Sequence, residues 1–262
     1  MLDEILRNLS ATRHDYPLPG GPVERRYQEI AAGLCRITAG KTAELERMHD
    51  DQLFYYTRWL HQIKTPIAAI RLAMQAGAAD KGVLEQELFK IEQYVEMALQ
   101  YIKMQDFASD LVIRDCAVLP IVRECVKKYA PLFIYKGVSV SITGEDFPAA
   151  TDEKWLAFII EQLLSNAVKY TSRGGVSIIL DGPSLTVKDD GIGILAEDVV
   201  RIFEKGYTGT SGRMYKRASG IGLYMVRETA ESLSIGIDVD SQPGQGTAVR
   251  LTLPPPGFLT KM

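Results

Sequence analysis

The sequence predicts a multidomain chain of two fold classes: an all-α, dimerising helical hairpin that becomes a four-helix bundle in the dimer, followed by an α+β layer. Three observations carry this. Apolar residues recur at three- and four-residue steps from Tyr27 to Ile102, the one-faced periodicity of helices that pack against a partner. From about Leu111 short runs such as "GVSVSIT", "GVSIILDG" and "SLTVKDDG" alternate with helical stretches, which reads as helices laid on one face of a mostly antiparallel sheet. The chain has 262 residues, 46% apolar and 24% charged, enough for one large domain or two modest ones.

The same composition excludes several classes. Thirty basic against 33 acidic residues leave a formal charge of -3, which gives nucleic acid no electrostatic footprint. Cys35, Cys116 and Cys125 show no CxxC spacing, so neither a disulfide framework nor a zinc site is expected, and a reducing compartment is. No run of eighteen apolar residues occurs, and "MLDEILRNLS" carries acids where a secretory signal has bases. As given, the chain reads as a soluble polypeptide.

Taken in order, "YPLPGGPV" concentrates three prolines and two glycines and separates a short first helix from a longer one. Tyr27, Ile30, Leu34, Ile37, Leu45 and Met48 then keep helical steps, interrupted by Gly33 and Gly40, each costing roughly 1 kcal/mol against alanine. The pattern firms from Ala43 to Met74, loosens at "QAGAADKG", and resumes from Val83 to Gln105. Two such helices make an antiparallel hairpin with an apolar stripe left over. A second copy of the chain is its simplest cover, and docking on the rest of the same chain is the alternative. Downstream, "DLVIRDCAV" and "GVSVSIT" read as strands around the helix "LPIVRECVKKYAPLFIYK". Then come the helix "DEKWLAFIIEQLLSNAVKYT", a hairpin over residues 175–191, the helix "GLYMVRETAESLS", a last strand pair in "GIDVDSQPGQGTAVRLTLP", and a loose tail.

Several residues suggest chemistry. His61, Lys64 and Thr65 share a helical face, and Pro66 comes next in what would otherwise be uninterrupted helix. A proline there lacks the N–H and crowds the carbonyl of Gln62, a disruption worth about 3 kcal/mol or more. It is expected to bend the helix one turn after His61 and to leave the imidazole open to a large partner. "LLSNAVKYT" sets Gln162, Asn166 and Lys169 along a later helix. An amide oxygen can complete a magnesium shell of phosphate oxygens and water, and a lysine supplies a point charge for phosphate. In "VKDDGIGI" the carboxylate of Asp189 precedes Gly191 and Gly193, and "ASGIGLYMV" places Gly220 and Gly222 at a helix start. Glycines admit close backbone approach, helix N-termini favour anions, and a buried carboxylate can accept from an exocyclic amine. Neither a Walker A loop nor a dinucleotide-binding GxGxxG in strand–helix context is present.

The order of these pieces resembles the sensor histidine kinases of two-component signalling, over residues from about 45 to 253. "HQIKTP" is similar to the H box, "EQLLSNAVKYT" to the N box, "DDGIGI" to the G1 box, "RIFEKGYTG" to the F box and "SGIGL" to the G2 box. The wording "FEKGYTG" resembles a narrower group, the small intramembrane-sensing kinases that answer cell-wall-active antimicrobial peptides in Gram-positive bacteria. In that group two transmembrane helices come first, so the chain is expected to be the cytoplasmic portion of a cell-membrane protein.

The resemblance implies a Bergerat-type ATP-binding α/β sandwich over residues 110–262, a dimerisation and histidine-phosphotransfer hairpin over 43–109, and a juxtamembrane linker over 1–42. It implies ATP and Mg2+ as cofactors, with a homodimer, a cognate response regulator and a membrane transporter as partners. By the same token His61 is the phosphoacceptor, Gln62 its neighbour in the site, and Thr65 the position that orients water for dephosphorylating the regulator. Asn166 binds magnesium. Gln162, Lys169, Tyr170, Asp189, Gly191, Gly193, Phe203, Gly220, Gly222, Leu223 and Thr247 line the nucleotide. Residues from about 204 to 218 form a mobile lid, with Arg213, Lys216 and Arg217 available to phosphate. Two positions depart from the family pattern: Gln62 stands where an acid is usual, and Gln162 where many relatives have asparagine. Gln62 cannot take a proton, so its amide would orient the imidazole. The readings left beside this one are an ATPase of the wider Bergerat superfamily and a dimeric docking module without catalysis.

Overall fold

The five strands of the main sheet run in the order β2-β4-β5-β7-β6, with β2 (Ser139–Gly144) parallel to β4 (Gly175–Asp181) and every other pair antiparallel. This computed structural model describes residues 20–76, 80–104, 111–209 and 220–258. β5 is Ser184–Asp189, β6 Gly236–Gln242 and β7 Gly246–Thr252. Along β4 the buried positions alternate as Val176, Ile178 and Leu180, the period-2 pattern of a sheet with one face covered. The cover is helical: α3 (Val118–Lys136), α4 (Glu153–Tyr170) and α6 (Gly222–Ser232), with a single helical turn, α5, at Ala196–Val199.

α4 is the centre of that layer. Leu156, Ile159, Ile160 and Leu164 are fully buried along it, as are Met225 and Val226 of α6 and Leu185 and Leu251 of the sheet. The helix starts where it does because Asp152 is its N-cap, its Oδ1 accepting from the N–H groups of Lys154 (2.9 Å) and Trp155 (3.2 Å). α3 ends at Gly137, whose φ of 64° allows the left-handed turn into β2.

The expected strand from Asp110 shortens to β1 (Arg114–Ala117), and β2 begins only after the Gly137 cap. β3 (Pro148–Thr151), which pairs with β1 in a separate ribbon, gave no sequence signal. Four residues containing one proline and two alanines have little intrinsic strand preference. The tail, expected to be loose, is tied down at Pro254 and Gly257: Ala150 N–H donates to the Pro254 carbonyl (3.1 Å), and Gly257 N–H to Asp115 (2.9 Å), while residues 259–262 lie outside the described residues.

N-terminal to the sheet lie two long helices, α1 (Pro22–Gln75) and α2 (Lys81–Met104). α1 runs unbroken through Pro66, which is buried. The chain divides into two compact units, residues 1–57 and 58–262. In the first, Tyr27, Ile30, Leu34 and Ile37 lie exposed along α1. In the second, the hairpin is closed by Trp59 and Tyr101, both buried, with ring centroids 5.1 Å apart and edge to face.

Candidate functional site

A cavity of about 180 Å³ opens between the C-terminal half of α4, the ends of β5 and β7, and the start of α6. It gathers Gln162, Asn166, Tyr170, Asp189, Gly193, Gly220, Gly222, Leu223 and Thr247 on its walls. Each arrives by local geometry. Gln162, Asn166 and Tyr170 succeed one another at four-residue steps along α4, and Asp189 is the last residue of β5. Gly220 and Gly222 lead into α6.

At Gly191 a Cβ would lie 2.6 Å from Asp189 Oδ1 and 2.8 Å from the Tyr170 carbonyl. Only glycine fits, and its N–H donates to Asp189 Oδ1 at 2.8 Å. Gly193, at φ 68°, presses so close to the Gln242 carbonyl that a Cβ would sit 1.9 Å from it. The turn between β6 and β7 therefore supports this loop: Ile194 N–H donates to Ser241 Oγ (2.9 Å), and Gly244 N–H to the Ile192 carbonyl (2.8 Å). That is what the "PGQGT" stretch does.

Burial pushes the Asp189 carboxyl above the usual carboxylate range, although N–H groups of Gly191 and Thr247 pull it back and the Asp190 charge raises it further. Burial also raises the Tyr170 phenol. Val187, Ile192, Ile194 and Val249 complete apolar walls around these polar groups. An acceptor at one place, apolar walls for a flat ring and two side-chain amides on α4 are a donor set that suits a purine nucleotide with its metal.

Three expected nucleotide residues do not line the cavity. Gly191 is buried behind it, Lys169 holds its ammonium 5.0 Å from the Tyr170 ring centroid, and Phe203 is half-buried in the turn before Gly206. Of the expected lid, residues 204–209 are described, while 210–219, with Arg213, Lys216 and Arg217, lie outside the described residues. Gly206 is hydrogen-bonded to the Gly220 carbonyl (2.9 Å), so the two edges of that segment meet. His61 and Thr65 are exposed on α1, Gln62 is half-buried, and none of the three lines the cavity. The Thr65 hydroxyl donates to the His61 carbonyl at 3.4 Å.

Sequence reasoning missed other wall residues. Asp198, buried on α5, accepts from the Tyr207 hydroxyl and lines the cavity with it. A four-residue helix leaves no periodicity to read. Met97, from α2 of the hairpin, also lines it; the apolar periodicity of the hairpin did not single it out.

Residues 151–257 match the family of histidine kinase-, DNA gyrase B- and HSP90-like ATPases. Fold and site thus define an ATP-binding domain of that class. The chain is also 35% identical over 239 residues to the sensor histidine kinase YxdK of Bacillus subtilis (strain 168), covering 87% of this chain and 71% of that one. With the sensor protein BceS of the same organism it is 33% identical over 246 residues, 90% and 72% of the two chains. The solved structure of full-length ShkA in complex with AMPPNP shares the fold, with a TM-score of 0.54 at 19% identity over 79% of this chain and 45% of that one. The chain belongs to the sensor histidine kinases, and is an ATP-dependent protein-histidine kinase of two-component signalling. Membership implies a dimer and a cognate response regulator. Among the described residues no helix is long and apolar enough to cross a membrane.

Proposed function

We propose that His61 is the phosphoacceptor and that residues 110–262 deliver ATP to it. The imidazole of His61 attacks the terminal phosphorus, a nitrogen–phosphorus bond forms as the bridging bond to ADP breaks, and the phosphoryl group passes on to an aspartate of the regulator. Asp189 accepts from the adenine amine, Tyr170 and the apolar walls flank the ring, and Gly220 and Gly222 admit the phosphates. Asn166 would hold Mg2+, which would supply neutralisation of phosphate charge, with Gln162 a turn earlier lining the nucleotide. Phosphoryl transfer needs chiefly such positioning and charge stabilisation, so Gln62 need only orient the ring. Thr65 positions water for the reverse task, dephosphorylation of the regulator.

The domain limits we assign are 1–42 for a juxtamembrane linker, 43–109 for the hairpin and 110–262 for the catalytic domain. Leu60, Ile67 and Met74 on α1 and Leu88, Val95, Leu99 and Ile102 on α2 stay exposed, which supports a second copy as their cover. The "FEKGYTG" wording supports a place in the antimicrobial-peptide-sensing group, at the cell membrane and with a transporter partner.

The single observation that carries the reading is the gathering of Asn166, Asp189, Gly220 and Gly222 on one cavity in a chain whose hairpin exposes a histidine. Incubation with γ-labelled ATP and magnesium is expected to leave acid-labile, base-stable label on the wild type and none on His61→Ala. Label that persists in His61→Ala would overturn the assignment.

A further inference from the structure

We propose that the hairpin completes the nucleotide site: Met97 of α2 forms one of its walls, and a clamp centred on Lys128 holds it there, so that nucleotide affinity and docking of the ATP-binding domain on the hairpin are linked. This rests on the cavity being the nucleotide site.

Met97 is the one cavity-lining residue that the hairpin supplies among the described residues, and it is 9% exposed. Around it, one face of α2 is engaged along its length by the helical layer. Phe89 meets the Tyr129 ring edge to face, centroids 5.4 Å apart, and Gln93 accepts from the Tyr129 hydroxyl. Lys128 of α3 reaches Glu96 of α2 at 2.8 Å and Glu161 of α4 at 2.7 Å. Near the end of α2, Met104 Sδ accepts from the Thr229 hydroxyl of α6 at 4.0 Å. Phe89, Gln93, Glu96, Met97 and Met104 fall at helical steps of three and four or their sums, so a single stripe makes all of these contacts.

The placement matters because Glu161 and Glu96 flank functional side chains. Glu161 precedes Gln162 on α4, and Glu96 precedes Met97 on α2. Lys128 therefore ties together the two helices that present Gln162 and Met97 to the same cavity. A ligand that touches both sides binds better when they are held together, and by reciprocity its binding holds them together more firmly.

Binding of MgATP to the full chain, followed by competition with a fluorescent ATP analogue, tests this. Wild type must bind for the nucleotide-site reading to stand; failure there sinks that reading, whereas the variants address the linkage. Met97→Ala and Lys128→Met are each expected to weaken binding by about five-fold, the scale of losing part of one apolar contact, and Lys128→Arg to restore most of it. The double variant should bind no more weakly than Lys128→Met, since an undocked wall has nothing left to lose. In wild type, MgATP should slow amide hydrogen exchange over residues 89–104, and in Lys128→Met it should not. Thermal melts identify any variant that is simply unfolded, and Met97→Ala then decides. Wild-type or tighter affinity in both single variants would overturn the proposal.

Discussion

In the adenine-reading role proposed for Asp189, a single carboxylate carries a conflict between fold and ligand. Burial holds its pKa above the ordinary carboxylate range, so the folded state binds its proton more readily than the unfolded chain does. Above the ordinary range, then, this group by itself destabilises the fold, and acidification through the raised value relieves the cost. Nucleotide binding runs the other way, because only the carboxylate is a full acceptor for an amine. ATP affinity is therefore expected to weaken as pH falls, starting at higher pH than an ordinary aspartate would cause. Asp189→Asn should flatten that dependence and lose about ten- to a hundred-fold in affinity, the scale of a hydrogen bond to a charged group. Isothermal titration across pH checks both; a pH profile unchanged by the substitution would refute the role. The neighbouring glycine was legible as a motif, but its reason was not: Gly191 is required by the Asp189 carboxylate and the Tyr170 carbonyl crowding its missing Cβ.

Among the elements, α1 shows most clearly what tertiary context overrides. Pro66 removes an N–H from the helix ladder and is expected to weaken it there, yet the helix continues on either side and buries the proline. The ring is buried, and burial of apolar surface works against the loss of the backbone bond. The weakened turn lies between His61 and the rest of the hairpin, where a small change of bend would move the imidazole. Pro66→Ala restores a backbone bond and a good helix former, a change of about 3 kcal/mol in intrinsic preference. It is expected to shift the balance between autophosphorylation and regulator dephosphorylation by several-fold, read from parallel assays of the two reactions. Equal rates in variant and wild type would exclude a hinge at this turn. α2 illustrates the complementary lesson, since its periodicity announced a helix and left its two faces undivided.

For the whole molecule, those two faces assign two partners. Leu88, Val95, Leu99 and Ile102 lie on one side of α2, roughly 140° around the helix from the stripe of Phe89, Gln93, Glu96 and Met97, at 3.6 residues per turn. The second stripe is taken by the same chain, the first remains open. Of the two covers considered from sequence, docking on the same chain is thus in use on one side, and the open side, with Leu60, Ile67 and Met74 at seven-residue steps on α1, is the one proposed for a second copy. Ile67→Asp places a charge in that seam and should weaken dimerisation by more than about ten-fold, seen as a shift to monomer in analytical ultracentrifugation. An unchanged sedimentation profile would move the dimer contact elsewhere. With the proposed dimer seam on one face of α2 and the ATP-binding domain on the other, the two contacts do not compete for the same side chains.

The periodicities, the hairpin, the mostly antiparallel sheet and the motif order that pointed to the family were all readable from the amino acids alone, because each is written in residues close together along the chain. It took the folded chain to establish which side of α2 meets the ATP-binding domain, that Met97 and Asp198 join the cavity, that Phe203 and Lys169 stand back from it, and that the C-terminal tail is fastened to β1 and β3. These depend on contacts between residues far apart in the chain, and local pattern carries no record of which apolar stripe meets which surface.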